Sequence, residues 1–398
     1  MHLTSLILAN LGRNKVRTLL TLLSVGIALF LFCALRGVLD TLQSSVRVSS
    51  ETRLVTRNAI SLIFPLPLAY RDRIAGVPGV KKVSYANWFG GRNAADPSDF
   101  YAQFAVDSPT YFPLYRSDVE VVAAGRPQGA GAVPEGNDPK LAAFFEDRTG
   151  WVVGQALFVK HKWKIGQQVH LAGTIFPGDW PFTIQAVYHA KNPAFGEDNL
   201  LFHWKYLDEK GMGGRGQVGW YVLGLDHPGQ AGPVIQAIDG IYENSAAATR
   251  TETERAFQAG FVSMYGNIPF LIGLIGLAVV LSMLGVAANT MMMAIRERTG
   301  ELAVLKTLGF TDGTVFGIVL AEALLITGIG GTAGALLAKF MIEGTRFNAG
   351  GFLPPMTVTW ETVALGVAIA LAMGIVSGLV PAIRASRLAV VDALRRVE

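Results

Sequence analysis

The sequence predicts an α-helical membrane protein with four transmembrane helices and a large α/β extracytoplasmic domain. Three observations lead there. Of 398 residues, 51% are hydrophobic and 16% are charged, against about 25% charged in an ordinary soluble domain. Four apolar runs, 18–35, 261–288, 315–338 and 362–383, have the length needed to cross about 30 Å of hydrocarbon. Charge is also segregated. Arg13, Lys15, Arg17, Arg296, Arg298, Lys306, Arg384, Arg387, Arg395 and Arg396 flank the runs, against Glu297, Glu301, Asp312, Asp392 and Glu398. Segment 37–260 holds 21 basic and 22 acidic residues. The basic excess is thus a topology signal, not one for nucleic acid. It puts both termini and the 289–314 loop in the cytoplasm, and segment 37–260 with the 339–361 loop outside.

Residues 1–17 read as a short interfacial helix, with Leu3, Leu6, Ile7 and Leu11 at helical spacing. The first run, extended to about residue 50, is a retained anchor: no small-residue cleavage site follows it. It holds the single cysteine, Cys33, so the external domain has no disulfide. That domain reads as mixed α/β. Strands are predicted at 80–88, 100–106, 151–153, 167–171, 182–188, 200–204 and 218–225. Helices or turns are predicted at 109–118, 138–147, 155–161 and 228–243, and the Gly/Pro-rich 126–138 is loop. A strand-rich middle bracketed by two αβ pieces has the pattern of an inserted domain. In the third run, Gly330 and Gly334 form a GxxxG pair beside Gly331, which lets helix backbones approach closely. Trp360 fits an interfacial aromatic belt.

The sequence carries no G-x-x-x-x-G-K-[ST], so no phosphate-cradling loop is expected. No catalytic set converges. The six histidines (His2, His161, His170, His189, His203 and His227) show no metal-ligating spacing. Among the four predicted spans the one charged side chain is Glu322. A carboxylate there either couples helix packing to a working cycle or is a capped structural group near the interface.

The 296–310 segment, ArgGluArgThrGlyGluLeuAlaValLeuLysThrLeuGlyPhe, resembles the loop between the second and third spans of MacB/FtsX-type (type VII, mechanotransmission) ABC permeases. Arg296, Glu297, Arg298, Glu301, Leu302, Val304, Leu305, Lys306, Leu308 and Gly309 carry the resemblance. Glu322-Ala323-Leu324-Leu325, the cluster Gly330, Gly331 and Gly334, and the tail Pro381–Arg395 are similar too, the tail departing at Val390. Residues 11–26 resemble the family's start. Residues 151–157 and 163–171 resemble its Sabre-type subdomain, and the flanking pieces its porter-type subdomain.

The resemblance implies a porter-like part at 51–120 and 215–255, a Sabre-like insertion at 121–214, a second span at 256–295, a cytoplasmic coupling helix at 296–312, a third span at 313–338, and a tail at 384–398. It implies a non-catalytic permease subunit in the bacterial cytoplasmic membrane. Two copies of a separate ABC ATPase would bind ATP and Mg, a second permease would complete a homodimer, and a membrane-fusion adaptor or lipoprotein would complete the assembly. Efflux or extraction of a drug, peptide, lipid or lipoprotein would follow, or, in an FtsX-like transducer, regulation of an external enzyme. Leu302, Leu305 and Leu308 recur at helical spacing, and the stripe is expected to dock in a groove of the ATPase.

Overall fold

The computed structural model describes residues 12–388 apart from 49, 94, 95, 97, 98, 100, 128, 130, 131, 193, 194, 211–214, 265, 266 and 346–355. The predicted interfacial helix and most of the tail lie largely outside the described residues. The chain divides into an α/β unit, 42–266 and 348–355, and a membrane unit formed by the remainder.

The α/β unit is built on one eleven-stranded sheet. Its strand order is β13 (Thr249–Thr253), β1 (Arg53–Asn58), β12 (Trp220–Leu225), β3 (Val80–Trp88), β5 (Ala102–Val106), β10 (Asn199–His203), β7 (Gly150–Gly154), β9 (Gly178–Ala190), β8 (Gln168–Gly173), β4 (Gly91–Asn93). β6 (Val119–Ala124) also pairs with β9, and β2 (Leu66–Pro67) with β11 (Gln217–Val218) forms a separate ribbon. Pairing is antiparallel except at β5–β10 and β7–β9. Strands of the predicted insertion, β10-β7-β9-β8, are contiguous in this order. Strands β13-β1-β12-β3-β5, from the flanking pieces, form the other half.

Successive strand residues point to opposite faces, and this sheet is buried on both. Trp151, Phe202, Tyr221 and Leu223 enter one core with Phe182 and Tyr85. Val152, Leu201 and Val222, each one position away, enter the other with Phe112 and Phe144. That is why these segments read as continuous apolar runs rather than alternating ones. On the first face lie α2 (Tyr70–Ala75), α5 (Gln155–Lys160), α6 (Trp204–Lys210) and α7 (Ala231–Tyr242). The second is covered by α3 (Ser108–Leu114) and α4 (Ala142–Glu146), and α8 (Glu254–Met264) follows β13. His203 is a hydrogen-bonded core group: Nε2 donates to the Phe144 carbonyl at 2.8 Å and Nδ1 lies 2.9 Å from Ser108 Oγ. Burial lowers its pKa, which keeps the ring neutral.

Among the described residues, four helices are long and apolar enough to cross a membrane: α1 (Lys15–Val48), α9 (Ile268–Glu297), α11 (Asp312–Thr345) and α12 (Trp360–Ser386). Two boundaries differ from the sequence reading. The second span begins at Ile268, not 261, because Asn267 caps it, its side chain accepting from the Phe270 N–H at 3.3 Å. The third helix runs on to Thr345 and so includes Lys339. This buried ammonium is satisfied by Glu343 at 2.6 Å and the Val358 carbonyl at 2.8 Å, and it sits over the Trp360 ring.

Glycine packing joins three of the spans. A Cβ on Gly334 would overlap the Gly26 carbonyl of α1, and one on Gly330 would stand 2.8 Å from the Leu22 carbonyl. Gly331 faces Ala370 of α12. Backbones therefore approach directly along α1 and α11, where packing rather than hydrophobic transfer holds helices together in lipid. Asp40 of α1 accepts from the hydroxyls of Thr359 and Thr362 at 3.0 and 2.5 Å, fixing the start of α12. Gly317, in contrast, has open space around it. Gly334→Ala is expected to destabilise the protein by about 1–3 kcal/mol through overpacking. Gly317→Ala should be neutral or stabilising by up to about 1 kcal/mol. Thermal unfolding of the two variants in detergent measures the difference, and equal behaviour would refute the α1–α11 contact.

Candidate coupling site

Between α9 and α11 the chain makes a corner, a short helix and a turn. α9 ends at Glu297, Arg298 leaves helical geometry, and α10 spans Thr299–Thr307. The predicted coupling helix, 296–312, is therefore shorter. Arg296 and Glu297 belong to the end of the second span, and Leu308 to Asp312 belong to the exit turn and the start of α11. The exit is a Schellman arrangement. Gly309 adopts φ +94°, its N–H donates to Lys306 O at 3.1 Å, and the Phe310 N–H donates to Leu305 O at 3.2 Å. Phe310 packs in the same apolar cluster as Leu305. Thr311 then accepts from the Thr314 N–H at 3.3 Å, opening α11.

The inward face of α10 is fastened at three points. Leu302, 7% exposed, packs with Ile295, Val315, Val319, Ala382 and Ala385. Lys306 donates from Nζ to the carbonyls of Ser386 and Leu388 at 2.5 and 3.0 Å and pairs with Asp312 at 2.8 Å. It thereby satisfies carbonyls left unpaired at the end of α12. Arg298 places Nη1 at 2.9 and 3.0 Å from the two carboxylate oxygens of Glu322, about three turns into α11. Glu322 is 7% exposed, and the pair gives its carboxylate a partner of opposite charge within the protein. Nearer the surface, Arg17 of α1 grips Glu297 at 2.5 and 2.8 Å, and Arg13 pairs with Glu301.

What remains outward differs from the stripe read in the sequence. Leu302 is buried, Leu305 half-buried and Leu308 72% exposed. A three-residue step on a helix of 3.6 residues per turn falls about 60° short of a full turn. Leu302 and Leu308 therefore lie about 120° apart and cannot share one face. The exposed face consists of Glu301, Val304 (49% exposed), Thr307 and Leu308. Beneath it a cavity of about 320 Å³ opens between α9, α10 and α11, lined by Met291, Ile295, Val304, Leu305, Ile318 and Glu322. Gly330, Gly331 and Gly334 are not part of this site; they pack helices further along α11. Among the described residues no group of His, Cys, Asp and Glu is arranged to hold a metal.

Neither Arg298 nor Lys306 was assigned these bonds by sequence spacing, since their partners lie 24 and 80 residues away. Removing one member of a buried pair leaves an uncompensated charge, at a cost of about 3–5 kcal/mol, whereas apolar replacement of both is close to neutral. Arg298→Ala and Glu322→Ala should each lower the unfolding temperature clearly. The double variant Arg298→Met with Glu322→Leu should recover most of the loss. Additive losses in the double variant would contradict the pair.

Two family descriptions match the chain. Residues 18–241 match the MacB-like periplasmic core domain, and residues 261–390 the FtsX-like permease C-terminal domain. A macrolide export ATP-binding/permease protein MacB of Nitrobacter winogradskyi is 34% identical over 158 residues, covering 39% of this chain and 22% of that protein. A MacB of a Shewanella species is 31% identical over 232 residues, covering 56% and 34%. The ABC transporter permease YknZ of Bacillus subtilis is 30% identical over 138 residues, covering 34% of each. The matches thus span a fifth to a third of the length of these relatives. Among solved structures, the periplasmic region of MacB from Actinobacillus actinomycetemcomitans aligns with 56% of this chain and 96% of its own length, at 8% identity and a TM-score of 0.37. With a periplasmic core match over more than half of its residues, followed by the permease C-terminal match, the chain belongs to the MacB/FtsX-like family of ABC transporter permeases.

Proposed function

We propose that this chain is the force-receiving permease of an ABC transporter, driven by a separate ATPase that binds ATP and Mg. The observation that carries the proposal is the division of α10 into two faces. Its inner face is fastened to α11 and α12 through Leu302, Lys306 and the Arg298–Glu322 pair, and its outer face is left to Glu301, Val304 and Leu308. A push on the outer face would be delivered to α11 and α12 rather than dissipated in a loose loop. Exposed apolar side chains on a short helix are the usual material of helix-in-groove docking.

Charge bias supports cytoplasmic placement of α10 and of both termini, with the α/β unit on the far side of a bacterial inner membrane. Two permeases and two ATPases would form the working unit, with or without an adaptor. Movement of α1 and α9 would reach the α/β units and drive export or extraction of a drug, peptide, lipid or lipoprotein. Membership of the ABC permease family supports an ATPase as the engine.

The test is capture of the tagged permease from native membranes, followed by measurement of bound nucleotide-dependent ATPase. Val304→Asp with Leu308→Asp should remove the ATPase from the captured material and leave the unfolding temperature of the permease unchanged. Leu302→Asp should instead unfold the membrane unit, since its side chain is buried. Full ATPase recovery with Val304→Asp and Leu308→Asp would overturn the docking face.

A further inference from the structure

The α/β unit contains a cavity of about 610 Å³ whose lining comes entirely from residues 53–258. This is the size of sites that enclose small organic molecules, roughly 300–1,000 Å³. Its wall is an aromatic row on three adjacent strands. Trp88 of β3 faces Phe104 of β5 across the ladder, and the two rings meet edge to face at 5.3 Å. Phe104 meets Trp220 of β12 in the same way at 6.0 Å. All three rings are only half-buried. A core would bury them fully, and large rings left partly uncovered around a hollow are unusual for a surface facing water. Ile63, 89% exposed, stands at the rim.

The electrostatics select a charge. The charged residues lining the cavity are Arg53, Asp118, Asp208 and Glu254, one base against three acids. Arg53 is already engaged. Its Nε and Nη2 reach Glu254 at 2.9 and 2.8 Å, Nη1 reaches Asp118 at 2.6 Å and the Leu114 carbonyl at 3.2 Å, and the guanidinium lies 4.4 Å above the Tyr115 ring. It has no face to offer an anion. Asp118 and Glu254 are the partners of Arg53, so Asp208, which accepts from the Gly216 N–H at 2.7 Å, is the lining carboxylate outside that cluster and shares the excess charge with it; the π-faces of tryptophan and phenylalanine also attract positive charge. We propose that this cavity is a binding site for an organic cation with an apolar body. The ring row would take the body, and the excess carboxylate charge the cationic group. The site is a property of the α/β unit and stands apart from coupling at α10.

The test uses the full chain in lipid nanodiscs and two photoreactive probes with the same diazirine-bearing alkyl tail, one ending in a primary ammonium and one in a sulfonate. The ammonium probe should label peptides containing Trp88, Phe104 or Trp220 saturably, and excess unlabelled alkylammonium should compete. The sulfonate probe should label them several-fold less. Trp220→Gln and Ile63→Lys should both reduce cavity labelling by the ammonium probe, and Ile63, being exposed, can be replaced without disturbing the fold. Asp208→Asn should narrow the preference for the ammonium probe. Equal labelling by both probes would overturn the assigned charge. Labelling confined to the four spans, or cavity labelling unchanged in Ile63→Lys, would overturn the site.

Discussion

The Arg298–Glu322 pair is the constraint on which the membrane unit turns. A carboxylate within an apolar span and a guanidinium at the end of another are each costly alone. Together they fix where α9 must stop, because Arg298 reaches Glu322 only from the corner between α9 and α10. The corner then sets the direction of α10, and Leu302 and Lys306 complete its attachment. Three kinds of interaction meet within a few residues: an ion pair, an apolar cluster and the capping of a helix end. All three are concentrated at one short helix.

Further along α11 the means of attachment changes. Gly330 and Gly334 bring its backbone against α1 at Leu22 and Gly26, and Gly331 meets Ala370 of α12. Asp40 then ties α1 to the first turn of α12 through two threonine hydroxyls. A helix held at one end by charge and along its middle by direct backbone contact is fastened to its neighbours at several points along its length. Within the α/β unit, stiffness has a different origin. One sheet buried on both faces carries the strands of the predicted insertion and those of its predicted flanks, so these segments share ladders as well as cores.

Much of this was legible in the sequence, and the physics explains where legibility ended. Strand β3 was read at its observed bounds because its apolar and aromatic residues lie between the turn signals of 76–79 and 89–91. Spans declared themselves by length. The strands β1 and β13 escaped, since ArgLeuValThrArgAsn and ThrArgThrGluThr are polar for strands. Their stability comes from pairing with each other across some 195 residues and from cross-strand contacts such as Thr56–Thr251 and Arg57–Glu252. At the site, the residues were legible and their roles were not. Lys306 reads as a charge on a docking helix and is in fact a cap for α12. Leu302 and Leu308 read as one stripe and lie on different faces. In each case local periodicity was right about helix and silent about which neighbour the side chain would meet.

In the proposed mechanism the outer face of α10 meets another protein and the inner face does not. The native chain has one cysteine, Cys33, fully buried in α1, so a cysteine introduced on α10 can be addressed alone. The direct measurement is thiol-specific photocross-linking in native membranes from Leu308→Cys and Val304→Cys, with Leu302→Cys as the inward reference and mass spectrometry of the adducts. The expected result is a cross-link to an ATPase carrying a phosphate-binding loop from positions 304 and 308, and none from 302. Adducts of positions 304 and 308 with lipid alone, or the same protein adduct from position 302, would contradict it.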